Sequence, residues 1–272
     1  MVSSGRGSRR RWSIGGAVVT MTPPPLPVRL RLLMLARLFT LQGSYNYETM
    51  IGNGLAFAME PALRLLPGGR NGTAYREAIA RQSRYFNAHP YLAAVAVGAL
   101  ARAELSLEDP VRIERFRTAS CGPLGSVGDR LVWAAWLPAC SVAALAAFGL
   151  GLSWSAVIVF FLLLYNAGHL ALRIWGLNAG WALGLGVASA LGAPIFRQGP
   201  SVVTRALAGI AGAAIPLMVA RAAGARPLGV ALIVAVGAAG GLALVQLDGR
   251  VAGWRAAIWV LVAFITAGVL VR

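Results

Sequence analysis

Residues Leu38–Glu60 read LFTLQGSYNYETMIGNGLAFAME, and this stretch is the main guide to the fold of the chain. Its first half, Gln42–Glu48, is the densest polar and aromatic run in a chain made mostly of Ala, Gly, Leu and Val. Its second half is apolar but still contains Glu60. Polar and ionisable groups are costly in lipid, so a membrane protein keeps them where they contact protein, water or a ligand. In a membrane protein, this stretch is therefore not passive lipid-facing surface.

The composition of the whole chain is that of a membrane protein. The chain has 272 residues, of which 58% are hydrophobic and only 12% are charged, and its mean hydropathy is +0.68. Soluble domains carry about 25% charged residues, so this chain lies outside that class. The apolar runs of the second half are long enough for membrane-spanning helices. We expect an all-α integral membrane protein.

The charge of the chain is strongly basic. The net charge is +16, and every basic residue is Arg. A nucleic-acid-binding protein of this charge would combine a basic face with aromatic or motif support. Here the Arg residues lie mainly in the N-terminal tail and beside apolar segments, where they suit anionic lipid head groups. We therefore expect membrane lipids and not nucleic acid as partners. Cys121 and Cys140 lack metal-ligand spacing, so we expect no metal and no other cofactor.

The chain divides into a tail and a membrane domain. Residues 1–28 are basic and include a Pro-rich run, and we interpret them as a disordered cytoplasmic tail. A translation start at Met21 is a further hypothesis. Residues 29–272 form the membrane domain, in which 29–130 carry the polar motifs and 131–272 are mainly transmembrane helices. We expect about five transmembrane helices plus re-entrant or half-length helices.

Hydropathy predicts the position of each span. The run Val28–Phe39 alternates Arg with Leu and Met, which favours either an interfacial amphipathic helix or the first turns of a buried helix. The run Leu92–Leu105 is short for a span, so it is either re-entrant or packed inside a protein core. The candidate spans are Leu131–Leu152, Trp154–Trp175, the weaker Ala179–Phe196, Val202–Ala220, Leu228–Leu247 and Trp254–Val271.

Other patterns predict breaks and exposed connectors. Clustered Gly, Pro and Asn in Pro67–Gly72 predict a turn, after which Thr73 is a possible N-cap. Four of the nine acidic residues lie in Glu104–Glu114, which indicates water or a partner surface. The Gly- and Pro-rich segment Arg117–Asp129 predicts non-helical backbone, which membrane proteins tolerate only when it is buried in protein or lines a cavity. Such breaks are typical of a transporter's binding site.

Four ordered segments together resemble the IID membrane subunit of the mannose/fructose/sorbose-type PEP-dependent sugar phosphotransferase system. The resemblance runs from about Leu32 to the C-terminus and is strong over Phe39–Gly180. The four segments are LQGSYNYETMIGNGLAFAMEPALRLL from Leu41, RQSRYFNAHPYLAAVAVGALARAE from Arg81, CGPLGSVGD from Cys121 and FFLLLYNAGHLALRIWGLNAGW from Phe160.

The resemblance implies a function in sugar transport. A IID subunit pairs with a IIC membrane subunit, and together they translocate a hexose-type sugar. Cytoplasmic IIA and IIB proteins supply the phosphate, so the resemblance implies no catalytic and no phosphorylated residue in this chain. It also implies a multi-pass protein of the bacterial cytoplasmic (inner) membrane and an oligomer of IIC–IID pairs.

Seven polar residues of these segments are candidates for the substrate path or the interface with IIC. Sugar recognition needs buried polar groups with fixed geometry, because an unpaired one costs about 1–3 kcal/mol. The alternative is a structural network that joins each segment to its neighbours. Tyr45 and Tyr47 either stack on a sugar ring or act as interface or core anchors. The candidates are Gln42, Ser44, Asn46, Glu48, Asn87, His89 and Asp129.

The chain departs from the family pattern at positions that bear on function. Arg130 follows SVGD where the family has Pro, and Gln82 stands where the family has His. The long polar insert of many members before the last spans is missing or reduced. These differences leave an alternative open: a regulatory or transport-incompetent IID-like subunit of an incomplete phosphotransferase system.

Overall fold

A computed structural model describes residues 26–187, 194–222, 234–240 and 262, and these residues contain helices and no β-strand. In chain order the helices are α1 (Val28–Leu38), α2 (Gly52–Leu63), a 3-10 helix (Gly69–Asn71), α3 (Thr73–Gln82), α4 (Ala93–Leu105), α5 (Pro110–Gly128), a π-helix (Asp129–Trp136), α6 (Leu137–Gly149), α7 (Trp154–Leu183), a second 3-10 helix (Gly184–Val187) and α8 (Pro194–Ala222).

The N-terminal helices form a compact core around α4. Every residue of α4 except Arg102 is buried. Helix α4 packs closely on α7 because both carry glycines at the crossing: a Cβ atom at Gly180 would lie 2.1 Å from the Val95 carbonyl oxygen. The short apolar run Leu92–Leu105 is therefore a core helix, the second of the two predicted alternatives.

The predicted turn and the predicted N-terminal helix are both present. The turn predicted at Pro67–Gly72 is confirmed, and Gly68 adopts the left-handed conformation there with φ 78°. The N-cap of α3 is Gly72, and Thr73 is the first helical residue, so the predicted capping role of Thr73 is wrong. Helix α1 is confirmed as a helix that buries Met34 and Leu38; its position at a membrane surface stays a prediction.

The prediction of a non-helical segment at Arg117–Asp129 is wrong. These residues belong to α5 and to the first turn of the π-helix, even though Pro123 lies inside α5. The Asp109 side chain caps the N-terminus of α5 by accepting from the Val111 N–H over 2.9 Å. Packing has therefore overridden the low helix propensity of Gly and Pro. A π-helix begins at Asp129, where the predicted break ends, and π-helical turns are frequent at functional sites.

In the described residues, three helices are long and apolar enough to cross a membrane: Pro110–Gly149, Trp154–Val187 and Gln198–Arg221. The expected count of about five spans is not reached within this part of the chain. The weaker span predicted at Ala179–Phe196 is wrong as a separate helix, because residues 179–183 continue α7 and residues 194–196 begin α8.

Some predictions fall on residues outside this description. Of the predicted span Leu228–Leu247 only residues 234–240 are described, and they are helical. The predicted span Trp254–Val271, apart from residue 262, lies outside the described residues, as do residues 1–25 of the basic tail and Met21.

Candidate functional site

The polar segments that interrupt the apolar sequence converge on one open cavity of about 550 Å³, which we call the motif pocket. The loop after α1 contributes Gln42 and Tyr45, and the segment between α3 and α4 contributes Asn87 and His89. The first residue of the π-helix contributes Asp129. Four of the seven candidate residues therefore lie around one cavity. The full lining is Gln42, Tyr45, Ile51, Tyr85, Asn87, Ala88, His89, Pro90, Cys121, Gly122, Gly125, Ser126 and Asp129.

Backbone hydrogen bonds hold the first polar segment against the second. The Ile51 N–H donates to the Phe86 carbonyl over 3.0 Å, and the Phe86 N–H donates to the Thr49 carbonyl over 3.2 Å. Gly52 permits this close approach, since a Cβ atom there would lie 2.0 Å from the Arg84 carbonyl oxygen. Two segments that are distant in sequence thus form one continuous wall of the pocket.

Asn46 shapes the loop and does not line the pocket. Its Oδ1 accepts from the backbone N–H groups of Glu48 and Thr49, both over 2.9 Å. Its Nδ2 donates to the Ser44 carbonyl over 3.1 Å and to Thr49 Oγ1 over 2.9 Å. Such bonds from Asn to its own turn stabilise the local backbone, so the structural alternative fits Asn46.

The tip of this loop is exposed beside the pocket. Ser44 and Glu48 are both exposed and do not line the cavity. Tyr47 is 88% exposed, so it is not a core anchor of this chain. Tyr45 is half exposed and lines the pocket.

His89 is buried at the pocket wall in a neutral state. Its Nδ1 accepts from the Tyr91 N–H over 3.2 Å, which assigns the ring proton to Nε2. Among the described residues, this buried Nε2 has no hydrogen-bond partner. Burial lowers the pKa of His89 to about 4, although the nearby Asp129 carboxylate acts to raise it and Arg173 acts to lower it. At neutral pH His89 therefore carries one unpaired N–H donor.

Asp129 is exposed and also lines the pocket. The backbone on both sides of it is helical, so its carboxylate does not lie in a Gly-rich loop. The neighbouring Arg130 is also exposed, and its Nε donates to the Ser126 carbonyl over 3.2 Å. The Asp129 carboxylate makes no ion pair within the described part of the chain, so it is free to accept hydrogen bonds from a ligand.

Comparison with known proteins decides the family. The family model described as "PTS system mannose/fructose/sorbose family IID component" matches residues 29–219, which include every wall of the motif pocket. The chain belongs to this IID family.

Individual IID relatives match a shorter part of the chain. The PTS system mannose-specific EIID component of Escherichia coli (strain K12) is 31% identical over 165 residues, which cover 58% of this chain and 56% of the relative. The fructose permease IID component of Bacillus subtilis (strain 168) is 33% identical over 158 residues, covering 56% of each. The matches thus span little more than half the length of these relatives.

A solved structure shares the fold. It is the cryoEM structure of the mannose transporter ManYZ in complex with microcin E492, in which the matching chain has a TM-score of 0.54 and 27% sequence identity. The match covers 69% of this chain and 70% of that chain. The helical arrangement described above is therefore similar to that of one chain of a membrane transporter.

The departure from the IID pattern at Gln82 lies in a buried polar network. Gln82 Nε2 donates to Glu104 Oε1 over 2.7 Å, and its Oε1 accepts from Arg117 Nη1 over 2.5 Å. Arg81 forms a two-point ion pair with the same Glu104 carboxylate, at 2.9 and 2.8 Å. Gln82 thus connects a buried anion to a buried cation, and a neutral His could make the same donor–acceptor bridge.

The network also corrects the prediction that Glu104 lies in an exposed connector. Glu104 is only 4% exposed and is part of α4. Arg117 is 1% exposed, and its Nη2 donates to the Arg84 and Tyr85 carbonyls over 3.0 and 3.3 Å. The network therefore joins α3, α4 and α5 directly behind Tyr85, which lines the motif pocket. The sequence signal for it was the pair of charged residues, Arg102 and Glu104, in the otherwise apolar α4.

An aromatic cluster lies behind His89 and was missed by sequence reasoning. The Tyr91 ring packs edge-on against His89, with centroids 5.0 Å apart, and stacks on His169 at 4.4 Å. The Tyr91 and Tyr165 hydroxyls are 2.7 Å apart. The Arg173 guanidinium lies over the Tyr91 ring at 4.9 Å. Asn166, His169 and Arg173 recur at three- and four-residue spacing, which indicates one shared face of α7, and His169 and Arg173 are buried against protein.

Arg173 is a buried cation that pairs with no acid in the described part of the chain. It is 4% exposed, and its Nε and Nη1 lack hydrogen-bond partners among the residues that the structure describes. The Tyr91 and Phe39 rings, at 4.9 and 4.7 Å, are its main stabilising contacts. No group of three or more His, Cys, Asp or Glu able to hold a metal ion occurs in the described ranges.

Proposed function

We propose that the chain is the IID-type subunit of a phosphotransferase-system permease. In this proposal it pairs with a IIC membrane subunit in the bacterial cytoplasmic membrane and translocates a hexose-type sugar that IIA and IIB phosphorylate. The observation that carries the proposal is the motif pocket, in which Gln42, Asn87, His89 and Asp129 from three separate segments surround one open cavity.

The chemistry of the pocket suits sugar hydroxyls. Gln42 and Asn87 offer amide donors and acceptors, and Asp129 offers an acceptor, whereas the buried His89 shapes the wall of the pocket. Tyr45 provides an aromatic face of the kind that packs on the C–H face of a sugar ring. The amides and the carboxylate bind and orient hydroxyls without forming a covalent bond. We assign these four polar residues to the sugar path.

The exposed loop tip is assigned to the interface with IIC. Ser44 and Glu48 lie outside the pocket, and Tyr47 between them is almost fully exposed. Tyr is enriched at protein interfaces because it combines a large apolar ring with a polar end. Asn46 holds this tip in shape through its four hydrogen bonds. Pairing with IIC would cover Tyr47 and give Glu48 a partner.

Phosphate transfer is assigned to the IIA and IIB proteins. His89 is 2% exposed and His169 is 9% exposed, which prevents close approach of a phosphoryl donor to either imidazole. The chain therefore contributes binding, orientation and assembly, and the complex as a whole works as an oligomer of IIC–IID pairs.

Sugar uptake in a strain deleted for the gene tests this function. Loss of uptake of one hexose, with recovery on expression of the chain, is the expected result. Unchanged uptake of every hexose tested would instead support the alternative of a regulatory or transport-incompetent subunit. Recovery of a IIC-type protein with the tagged chain separately tests the pairing.

A further inference from the structure

A second charged site lies away from the motif pocket, where three arginines surround Glu60. Glu60 Oε2 accepts from Arg37 Nη1 over 2.8 Å and from Arg64 Nη2 over 2.7 Å. Its Oε1 accepts from Arg64 Nε over 2.7 Å, Arg70 Nη2 over 2.9 Å and the Tyr75 hydroxyl over 3.1 Å. One carboxylate thus holds three guanidinium groups together, and the group, which we call the Glu60 cluster, has a net charge of +2.

The excess of positive charge is a stable property of the cluster. Burial by itself would raise the pKa of Glu60, but the hydrogen bonds from Arg64, Arg70, Arg37 and Tyr75 lower it to about 2. Glu60 is therefore ionised throughout the physiological range. One negative charge against three positive charges leaves two charges without compensation.

The cluster opens into a cavity of about 360 Å³. Arg37 and Arg70 are both part of its wall, and both have further guanidinium N–H donors. Within the described residues, Arg37 Nε and Nη2 and Arg70 Nη1 have no hydrogen-bond acceptor. The remaining wall is polar and aromatic in part; the full lining is Arg37, Asn53, Ala56, Phe57, Glu60, Arg70, Tyr75, Ile79 and Ser83.

The surface around this cavity is amphipathic. Arg70 is 61% exposed at the rim. The Phe57 ring is 48% exposed, and the Arg37 guanidinium lies 4.3 Å from its centroid. Leu33 on α1 is 38% exposed, and Leu65 just after α2 is 44% exposed. Exposed apolar side chains beside arginines that outnumber their acid are typical of a protein surface that meets phospholipid head groups.

We propose that the Glu60 cluster is a binding site for the phosphate oxygens of a phosphate ester, held between Arg37 and Arg70. Guanidinium groups bind phosphate through paired, charge-assisted N–H···O bonds, and a phosphate of charge −1 to −2 balances the excess charge of the cluster. The site is separate from the motif pocket, and the proposal does not depend on the transport function. Two sources supply this chemistry: an anionic phospholipid head group and a soluble phosphate.

Thermal unfolding of the full chain, purified in a zwitterionic detergent, distinguishes the sources. The probes are phosphatidylglycerol, phosphatidylcholine and inorganic phosphate. Stabilisation by phosphatidylglycerol alone identifies a lipid head group, whereas equal stabilisation by inorganic phosphate identifies a soluble ligand. Either outcome supports the proposed site if the stabilisation changes when residues of the Glu60 cluster are substituted.

Two variants and one control establish that dependence. Arg70→Gln, at an exposed position that should fold normally, is expected to weaken the apparent affinity about tenfold, which corresponds to one lost charge-assisted contact. Glu60→Gln raises the net charge to +3 and is expected to strengthen binding, a gain that a purely structural cluster would not give. Arg112→Gln removes an equally exposed arginine that pairs with Glu108 at 2.6 Å, and it should change nothing. Equal affinities in wild type and Arg70→Gln, or equal losses in Arg70→Gln and Arg112→Gln, would overturn the proposal.

Discussion

Gly128 lies directly against the imidazole of His89: a Cβ atom at position 128 would stand 2.2 Å from the His89 Cβ and 2.4 Å from its Cγ. This contact joins the end of α5 to the segment before α4, and it fixes the ring whose buried Nε2 has no partner among the described residues. The glycine of SVGD is therefore required for the shape of the motif pocket.

A methyl group at Gly128 is expected to displace His89. Gly128→Ala should destabilise the chain by about 1–3 kcal/mol, the usual cost of overpacking a tight contact. The matched control is Gly122→Ala on the same helix, where a Cβ atom would meet nothing within 4 Å. Thermal unfolding of both variants checks the prediction; equal stabilities would show that His89 can move without cost.

The Gln82 bridge gives a prediction about the departure from the family pattern. Gln82→Leu leaves Glu104 and Arg117 each without one hydrogen bond, and an unpaired buried polar group costs about 1–3 kcal/mol. Gln82→His restores the residue of the family pattern and should be close to wild type, because a neutral imidazole can donate to Glu104 and accept from Arg117. The midpoint of thermal unfolding is the measurement. If Gln82→His is as unstable as Gln82→Leu, the bridge is not what stabilises this region.

His89 should make the folded chain less stable in acid. Its pKa is about 4 in the folded chain, where burial is the main cause, against about 6.5 for an unperturbed histidine. Between these values the unfolded chain binds more protons, so the free energy of unfolding decreases as the pH falls from about 6.5 to about 4. Unfolding curves measured across that range should fall less steeply for His89→Gln than for wild type. Parallel curves would mean that His89 does not remain neutral in the folded chain.

Glu48 and Glu108 are predicted to differ in their effect on assembly. Glu48→Ala changes the exposed loop tip assigned to the IIC interface, whereas Glu108→Ala changes a residue that pairs with Arg112 in the connector before α5. We expect the first to reduce the IIC protein recovered with the tagged chain and the second to leave it unchanged. Equal recovery with both variants would remove Glu48 from the interface.

The sequence predicted the elements whose signals are local. The turn at Pro67–Gly72 follows from its Gly, Pro and Asn content, and the shared face of His169 and Arg173 follows from helical spacing. The family resemblance singled out seven candidate residues, and four of them lie around one cavity.

What the sequence did not predict depends on contacts between distant segments. The helical state of Arg117–Asp129 opposes its Gly and Pro content and depends on packing. The burial of Glu104 requires Arg81 and Gln82 from another helix. The stacking of Tyr91 on His169 joins residues that are 78 positions apart. Neither hydropathy nor periodicity carries information about such pairs.

Sugar binding by the copurified IIC–IID complex tests the central claim most directly. The measurement compares the dissociation constant of one hexose for complexes that carry wild-type chain, Asn87→Ala or the control Glu108→Ala. If the motif pocket is part of the sugar path, Asn87→Ala weakens binding about tenfold, as expected for one lost hydrogen bond with its desolvated partner, and Glu108→Ala binds as wild type does. Unchanged affinity in a correctly assembled Asn87→Ala complex would contradict the account.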